Sequence, residues 1–151
     1  IDGIFTGATI NTPSMMCVED ALDALRWAKS LGGGEALVAR SEGNLARIAS
    51  WVTATDWVDF LAAEPTERSS TSVCLKIVDP WFAGLDEAEQ RGVAKGIANA
   101  LAAERVAFDI GAYRDAPPGL RIWAGATIEG DDLDALLPWL DWAFAEARAA
   151  A

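Results

Sequence analysis

Ser72-Val73-Cys74-Leu75-Lys76-Ile77-Val78 is the stretch on which the fold turns. It is rich in β-branched residues, and Asp79-Pro80 closes it, so it reads as a strand. Working outward, Trp57-Val58-Asp59-Phe60-Leu61 is short and apolar and also has strand character, with a polar loop from Glu64 to Ser72 between the two. Downstream, Val106 to Tyr113 reads as a strand. Arg114 to Gly119 is a proline-rich turn, and Leu120 to Ala126 is a further strand. Helical patterns surround these runs. One extends from about Ser14 to Leu31, with Val18, Leu22 and Leu25 on its apolar face, and Gly32-Gly33-Gly34 stops it. A second runs from about Glu35 to Thr53, its stripe formed by Val38, Leu45, Ile48 and Val52. A third begins near Asp86, where Asp86 and Glu89 have capping-box spacing, and buries Val93, Ile97 and Leu101. The last covers about Asp131 to Ala149, with Leu133, Leu136, Leu140 and Phe144 facing inward and Pro138 either kinking it or marking its first turn. The expected class is α+β: a small, mostly antiparallel sheet with helices packed on one face. The other face then needs a covering, and the high tryptophan content fits that need.

Composition narrows the function. The 151 residues carry 12 Lys and Arg against 23 Asp and Glu, a net charge of −11. Such a chain lacks the basic face that a nucleic acid or an anionic membrane surface requires. A small anionic ligand stays open, because a few arginines can dominate one cleft. There is no histidine, which removes Ser-His-Asp and Cys-His mechanisms. With only Cys17 and Cys74, a zinc site of ordinary spacing is also excluded, and no metal site is expected. The two cysteines read as buried free thiols. No apolar run reaches membrane-spanning length, and no secretory signal opens the chain, so a cytoplasmic protein is expected. The first residues, Ile1-Asp2-Gly3-Ile4, resemble mid-protein sequence.

Several residues have the chemistry for a site. Asn11, Thr12 and Ser14 stand ahead of a helix, where an amide, hydroxyls and backbone N–H groups suit a phosphate, although ordinary capping is the commoner use of such residues. Arg114 and Arg121 flank the turn Asp115-Ala116-Pro117-Pro118-Gly119. A guanidinium grips carboxylate or phosphate with two parallel hydrogen bonds, but both arginines could equally pair with internal acids such as Asp109 or Asp115. The neighbours of Arg121 imply that it is partly buried and needs an anionic partner. Lys76 reads as an outward-facing strand lysine, and Lys29 and Lys95 as helix-surface residues. Glu129, Asp131 and Asp132 read as an acidic helix start, and Trp139-Leu140-Asp141-Trp142 as packing.

Two stretches carry a family resemblance. Gly7-Ala8-Thr9-Ile10-Asn11-Thr12-Pro13-Ser14-Met15-Met16 with Val18-Glu19-Asp20-Ala21-Leu22, and Asp109-Ile110-Gly111-Ala112-Tyr113-Arg114 with Gly119-Leu120-Arg121-Ile122, resemble the phosphoserine aminotransferases. Arg68 to Leu75 is similar to an interior strand of that family. These are class V, fold type I enzymes dependent on pyridoxal 5'-phosphate. The resemblance implies the C-terminal portion only: residues 1–14 ending the large cofactor-binding domain or connecting to it, and residues 15–151 forming the small α+β domain. It implies that Asn11 and Thr12 reach the cofactor phosphate of a neighbouring subunit in a homodimer. Arg121 is implied to hold the substrate α-carboxylate and Arg114 the substrate phosphate. Tyr113 stands where the family often has histidine. The resemblance implies that the Schiff-base lysine, the aspartate on the pyridinium nitrogen and the stacking aromatic lie before Ile1, with no catalytic residue in this chain. The implied reaction transfers an amino group between phosphoserine and 2-oxoglutarate in serine biosynthesis. Two alternatives stay open: another class V aminotransferase, of the alanine/serine–glyoxylate type, and a non-catalytic acidic interaction domain.

Overall fold

The structure is a computed structural model that describes residues 3, 6–8, 11–12 and 14–150. It divides into two compact units, Ile1–Leu37 and Val38–Ala151.

The first unit holds helix α1 (Met15–Ser30). The Ser14 side chain caps it by accepting from the Cys17 backbone N–H. Gly32 and Gly33 both have positive φ, and their N–H groups bond back to the carbonyls of Lys29 and Ala28, so the glycine run ends the helix as expected. The expected burial of its apolar stripe is not found. No residue of α1 is buried, and Val18, Leu22 and Leu25 are all exposed. One helix has no second layer within its own unit to cover that stripe. Cys17 is exposed for the same reason, against the expectation of a buried thiol.

The second unit takes the greater part of α2 (Gly34–Ala54), then β1 (Val58–Phe60) and a 3-10 turn at Pro65–Glu67. There follow β2 (Ser72–Ile77), the short α3 (Pro80–Ala83), α4 (Glu87–Ala103), β3 (Gly119–Trp123) and α5 (Gly130–Ala149). The capping box of α4 is complete. Asp86 accepts from the Glu89 N–H, and the Glu89 carboxylate accepts from the Asp86 N–H, each at 2.9 Å. Pro138 lies in the interior of α5, not in its first turn.

The sheet is antiparallel in the order β1-β2-β3. Its register pairs Val58 with Ile77, Phe60 and Leu120 with Leu75, and Ile122 with Val73. One face is therefore wholly apolar, and these residues are all buried in one core with Ile48, Ile97, Leu101, Leu140 and Phe144 from the helices. The same register sends Asp59, Ser72, Cys74, Lys76, Arg121 and Trp123 to the opposite face. There Trp123 is 51% exposed and Cys74 half-buried. The expected α+β sandwich, with helices on one face of the sheet, is the observed fold.

Residues 106–113 differ from expectation. They form no strand, only a single bridge between Gly111 and Leu120, together with an Arg121 N–H to Ile110 carbonyl bond of 2.8 Å. Arg105 and Asp109 both sit in the left-handed region, at φ 59° and 58°, and each turns the chain out of extended geometry. The segment becomes a loop that passes beside β3 and brings Asp109 and Tyr113 to Arg121.

Candidate functional site

Arg121 sits in the middle of β3, directly across from Cys74 on the face away from the core. Its side chain is only 11% exposed. Nη2 donates to Asp109 Oδ2 at 2.5 Å and to the Asp109 carbonyl at 3.3 Å. The Tyr113 ring covers the guanidinium, with Cζ 4.6 Å from the ring centroid. Nε is buried and has no hydrogen-bond partner. A buried N–H without an acceptor costs roughly 1–3 kcal/mol, a cost that an acceptor reaching Nε would relieve. Nε and Nη2 together form the side edge of the guanidinium, the edge a carboxylate takes with two parallel bonds. The partial burial of Arg121 agrees with the expectation drawn from its neighbours, and of the two internal acids left open as partners it is Asp109 that pairs with it.

Arg114 is placed differently. It is 93% exposed, in a turn closed by the Ala116 N–H to Tyr113 carbonyl bond, and its Nε lies 3.5 Å from the exposed Asp115. An ion pair this exposed contributes at most about 1 kcal/mol, so Asp115 is a weak competitor for any other anion. The Arg114 carbonyl is held from α4, where Arg91 Nη1 donates to it at 3.3 Å. Between α4 and residues 111–119 lies a cleft of about 340 Å³, bordered by Arg91, Lys95, Tyr113 and Arg114. From sequence alone Lys95 is expected on a helix surface, and Arg91 carries no expected role. The available signal was their i, i+4 spacing, which puts both on one face of α4.

The remaining candidates separate cleanly. Lys76 faces away from the core, with Nζ 3.5 Å from Asp59 on the neighbouring strand, as an outward-facing strand lysine should. Glu129, Asp131 and Asp134 at the start of α5 pair with Arg40 and Arg47 of α2, and Arg40 Nε also bonds the Ala126 carbonyl at 2.9 Å. That acidic start is a docking point for a helix. Asp141 accepts two indole N–H groups, from Trp57 at 2.8 Å and Trp51 at 3.1 Å, while Trp57 stacks on Phe144. Trp139 and Trp142 form an exposed edge-to-face pair beside Pro138. Among the described residues no group of three acids or cysteines is placed to hold a metal ion, and no helix is long and apolar enough to cross a membrane. In the first unit, Asn11 and Thr12 are exposed, and among the described residues neither side chain has a hydrogen-bond partner.

No family model matches the chain. Curated sequences do. Over 141 residues, 93% of its length, the chain is 48% identical to the phosphoserine aminotransferase of Methanosarcina mazei and 47% identical to that of Methanosarcina barkeri. Along nearly all of its length the chain is thus similar in sequence to these two phosphoserine aminotransferases. It spans 35% of the length of each of these two proteins. Solved structures agree at the level of fold. The phosphoserine aminotransferase of Bacillus circulans subsp. alkalophilus superposes with a TM-score of 0.75 at 14% identity, over 99% of this chain and 37% of its own. A second phosphoserine aminotransferase, described for radiation damage to its Schiff base, gives 0.71 at 19% identity, over 95% of this chain and 37% of its own. The family resemblance of the two motif stretches thus extends along nearly the whole chain.

Proposed function

We propose that the chain is the C-terminal portion of a phosphoserine aminotransferase. In that reading, residues 1–14 end the large domain or connect to it, and residues 15–151 make up the small one. The whole protein exchanges an amino group between phosphoserine with 2-oxoglutarate and 3-phosphohydroxypyruvate with glutamate. The observation that carries the proposal is the 48% identity over 141 residues to a phosphoserine aminotransferase. The arginine geometry supports it. A substrate α-carboxylate displacing Asp109 gains both Nη2 and the unpartnered Nε of Arg121. The cover supplied by Tyr113 restricts the position of the guanidinium and lowers the mobility it must lose on binding. Arg114, exposed and anchored through its carbonyl, is free to meet the substrate phosphate or the distal carboxylate of 2-oxoglutarate.

Pyridoxal 5'-phosphate supplies the electron sink for the transfer when bound. The donor set of Asn11 and Thr12, an amide and a hydroxyl that are both exposed and unpartnered among the described residues, fits the phosphate of such a cofactor. In the proposed homodimer they serve the neighbouring subunit. The lysine that bonds the cofactor belongs to the part of the protein outside this chain, which is therefore inactive alone. A cytoplasmic location, small-molecule substrates and the absence of nucleic-acid or membrane partners complete the proposal, in keeping with the net charge of −11.

The test is a substrate panel on the longer protein that contains this chain. Glutamate formation from phosphoserine and 2-oxoglutarate, far above that from phosphate-free serine, is the expected result. Faster turnover of alanine or serine with glyoxylate would replace the proposal with the other class V activity. No turnover of either kind would leave an interaction domain. The isolated chain mixed with pyridoxal 5'-phosphate should give no absorbance change that Lys76→Ala removes.

A further inference from the structure

The anion that Arg121 holds in this structure belongs to the chain itself, and its grip is incomplete. Asp109 Oδ2 accepts from Nη2 at 2.5 Å, and the Asp109 carbonyl accepts from the same nitrogen at 3.3 Å, while Nε has no acceptor. The two partners are also unequal in burial. The Arg121 side chain is 11% exposed and that of Asp109 84%. A guanidinium this deep needs a partner, because a buried charge left unpaired is strongly destabilising. The Asp109 carboxylate has no such need, since water solvates it once it turns away.

The chain around Asp109 lets it turn. Val106 and Ala107 pack against the core on one side. On the other, Ile110 is buried and its carbonyl accepts from the Arg121 N–H at 2.8 Å. Between these anchors lie Phe108, which is exposed, and Asp109, whose left-handed backbone turns the chain. Rotation of the Asp109 side chain therefore disturbs no core contact and leaves its carbonyl on Nη2.

The outcome of exchanging Asp109 for an incoming anion depends on the shape of that anion. A single-atom anion such as chloride cannot lie in line with two parallel N–H groups, so it replaces one bond of Nη2 with one other and gains little. A carboxylate spanning the Nε–Nη2 edge replaces that bond and adds the missing one, at a nitrogen that is already desolvated. We infer that Asp109 is a placeholder carboxylate and the specificity-determining residue of this edge: it keeps Arg121 paired while no ligand is bound, and it excludes anions that cannot engage both nitrogens. Taking the amino-acid carboxylate of the transamination as the ligand rests on the proposed function. The exchange itself rests on the Asp109–Arg121 geometry.

The experiment compares the longer protein that contains this chain with its Asp109→Asn variant. Asparagine keeps the size of the side chain and tolerates the same left-handed backbone. The KM for phosphoserine should fall roughly two- to five-fold, as removal of one solvent-screened charge pair allows, with the change in KM and not in kcat. Sodium chloride should inhibit the variant competitively and the native protein much less at the same ionic strength. Melting temperature gives a readout that needs no turnover. Acetate should raise it in both proteins, chloride only in Asp109→Asn, and the acetate effect should be lost in Arg121→Lys. A KM that rises in Asp109→Asn overturns the placeholder and makes Asp109 a brace for Arg121. Chloride acting alike on the native protein and Asp109→Asn overturns the specificity role. Acetate raising the melting temperature equally in Arg121→Lys overturns the exchange at Arg121. Absence of phosphoserine turnover with the melting pattern intact strikes the proposed function and supports the placeholder.

Discussion

Gly119 opens β3 two residues before Arg121, and replacing it with alanine tests how the sheet holds the site. A Cβ built there would lie 2.2 Å from the Leu75 carbonyl oxygen, where real Cβ atoms essentially never approach closer than 3.0 Å. The conflict is backbone against backbone, so no rotamer relieves it. β2 and β3 must separate by about 0.8 Å at the Lys76–Gly119 pair, close to the core pair Leu75–Leu120. Overpacking of this kind costs about 1–3 kcal/mol. For a chain of this size each kcal/mol moves the melting temperature by about 2–4 °C, so Gly119→Ala should melt about 2–12 °C lower. The displacement should also propagate along β3, raising hydrogen exchange at the Arg121 amide, which bonds the Ile110 carbonyl. Thermal melts by circular dichroism and amide exchange by mass spectrometry read both effects. Gly92→Ala is the matched control. Gly92 lies inside α4 with nothing within 4 Å of its built Cβ, so alanine should stabilise by about 1 kcal/mol through helix propensity alone. A Gly119→Ala chain that melts at the native temperature, or a Gly92→Ala chain that falls as far, would refute the reasoning.

Two further outcomes follow from carboxylates that each accept two hydrogen bonds. Asp141→Ala removes the acceptor of both the Trp51 and Trp57 indoles and should cost about 2–4 kcal/mol, with Asp141→Asn losing about half as much because one acceptor oxygen remains. Melting and the near-ultraviolet dichroism of the tryptophans would report it, and an unchanged melt for Asp141→Ala would sink the clamp. Asp79 caps α3 through the Trp81 N–H and accepts from Arg148, both at 2.8 Å. Asp79 is buried, and Arg148 is half-exposed. Asp79→Ala should therefore destabilise more than Arg148→Gln, by about 2–4 against about 1 kcal/mol, and the reverse order in denaturant titrations contradicts the assignment.

Local signals were readable where neighbours in sequence decide structure. The α4 start was legible because Asp86 and Glu89 satisfy each other's backbone within one turn. The central strand was legible because it is rich in β-branched residues and Asp79-Pro80 bounds it. The 106–113 segment was misread because its apolar residues have strand character, while two left-handed residues, neither of them glycine, turn the chain. Long-range features left no trace. Trp51 and Trp57 meet a carboxylate more than 80 positions away, and Arg91 and Lys95 join Arg114 only because α4 packs beside the loop. The pairing of Arg121 lay between, since Asp109 was one of two nearby acids available.

The central proposal is that Arg121 holds a substrate carboxylate through its Nε–Nη2 edge. The measurement is kcat/KM for phosphoserine in the longer protein, native against Arg121→Lys, with the melting temperature of each. Lysine keeps the charge and loses the fork, so the account predicts a fall of roughly 10- to 100-fold at similar stability. Equal kcat/KM for the two proteins would contradict it.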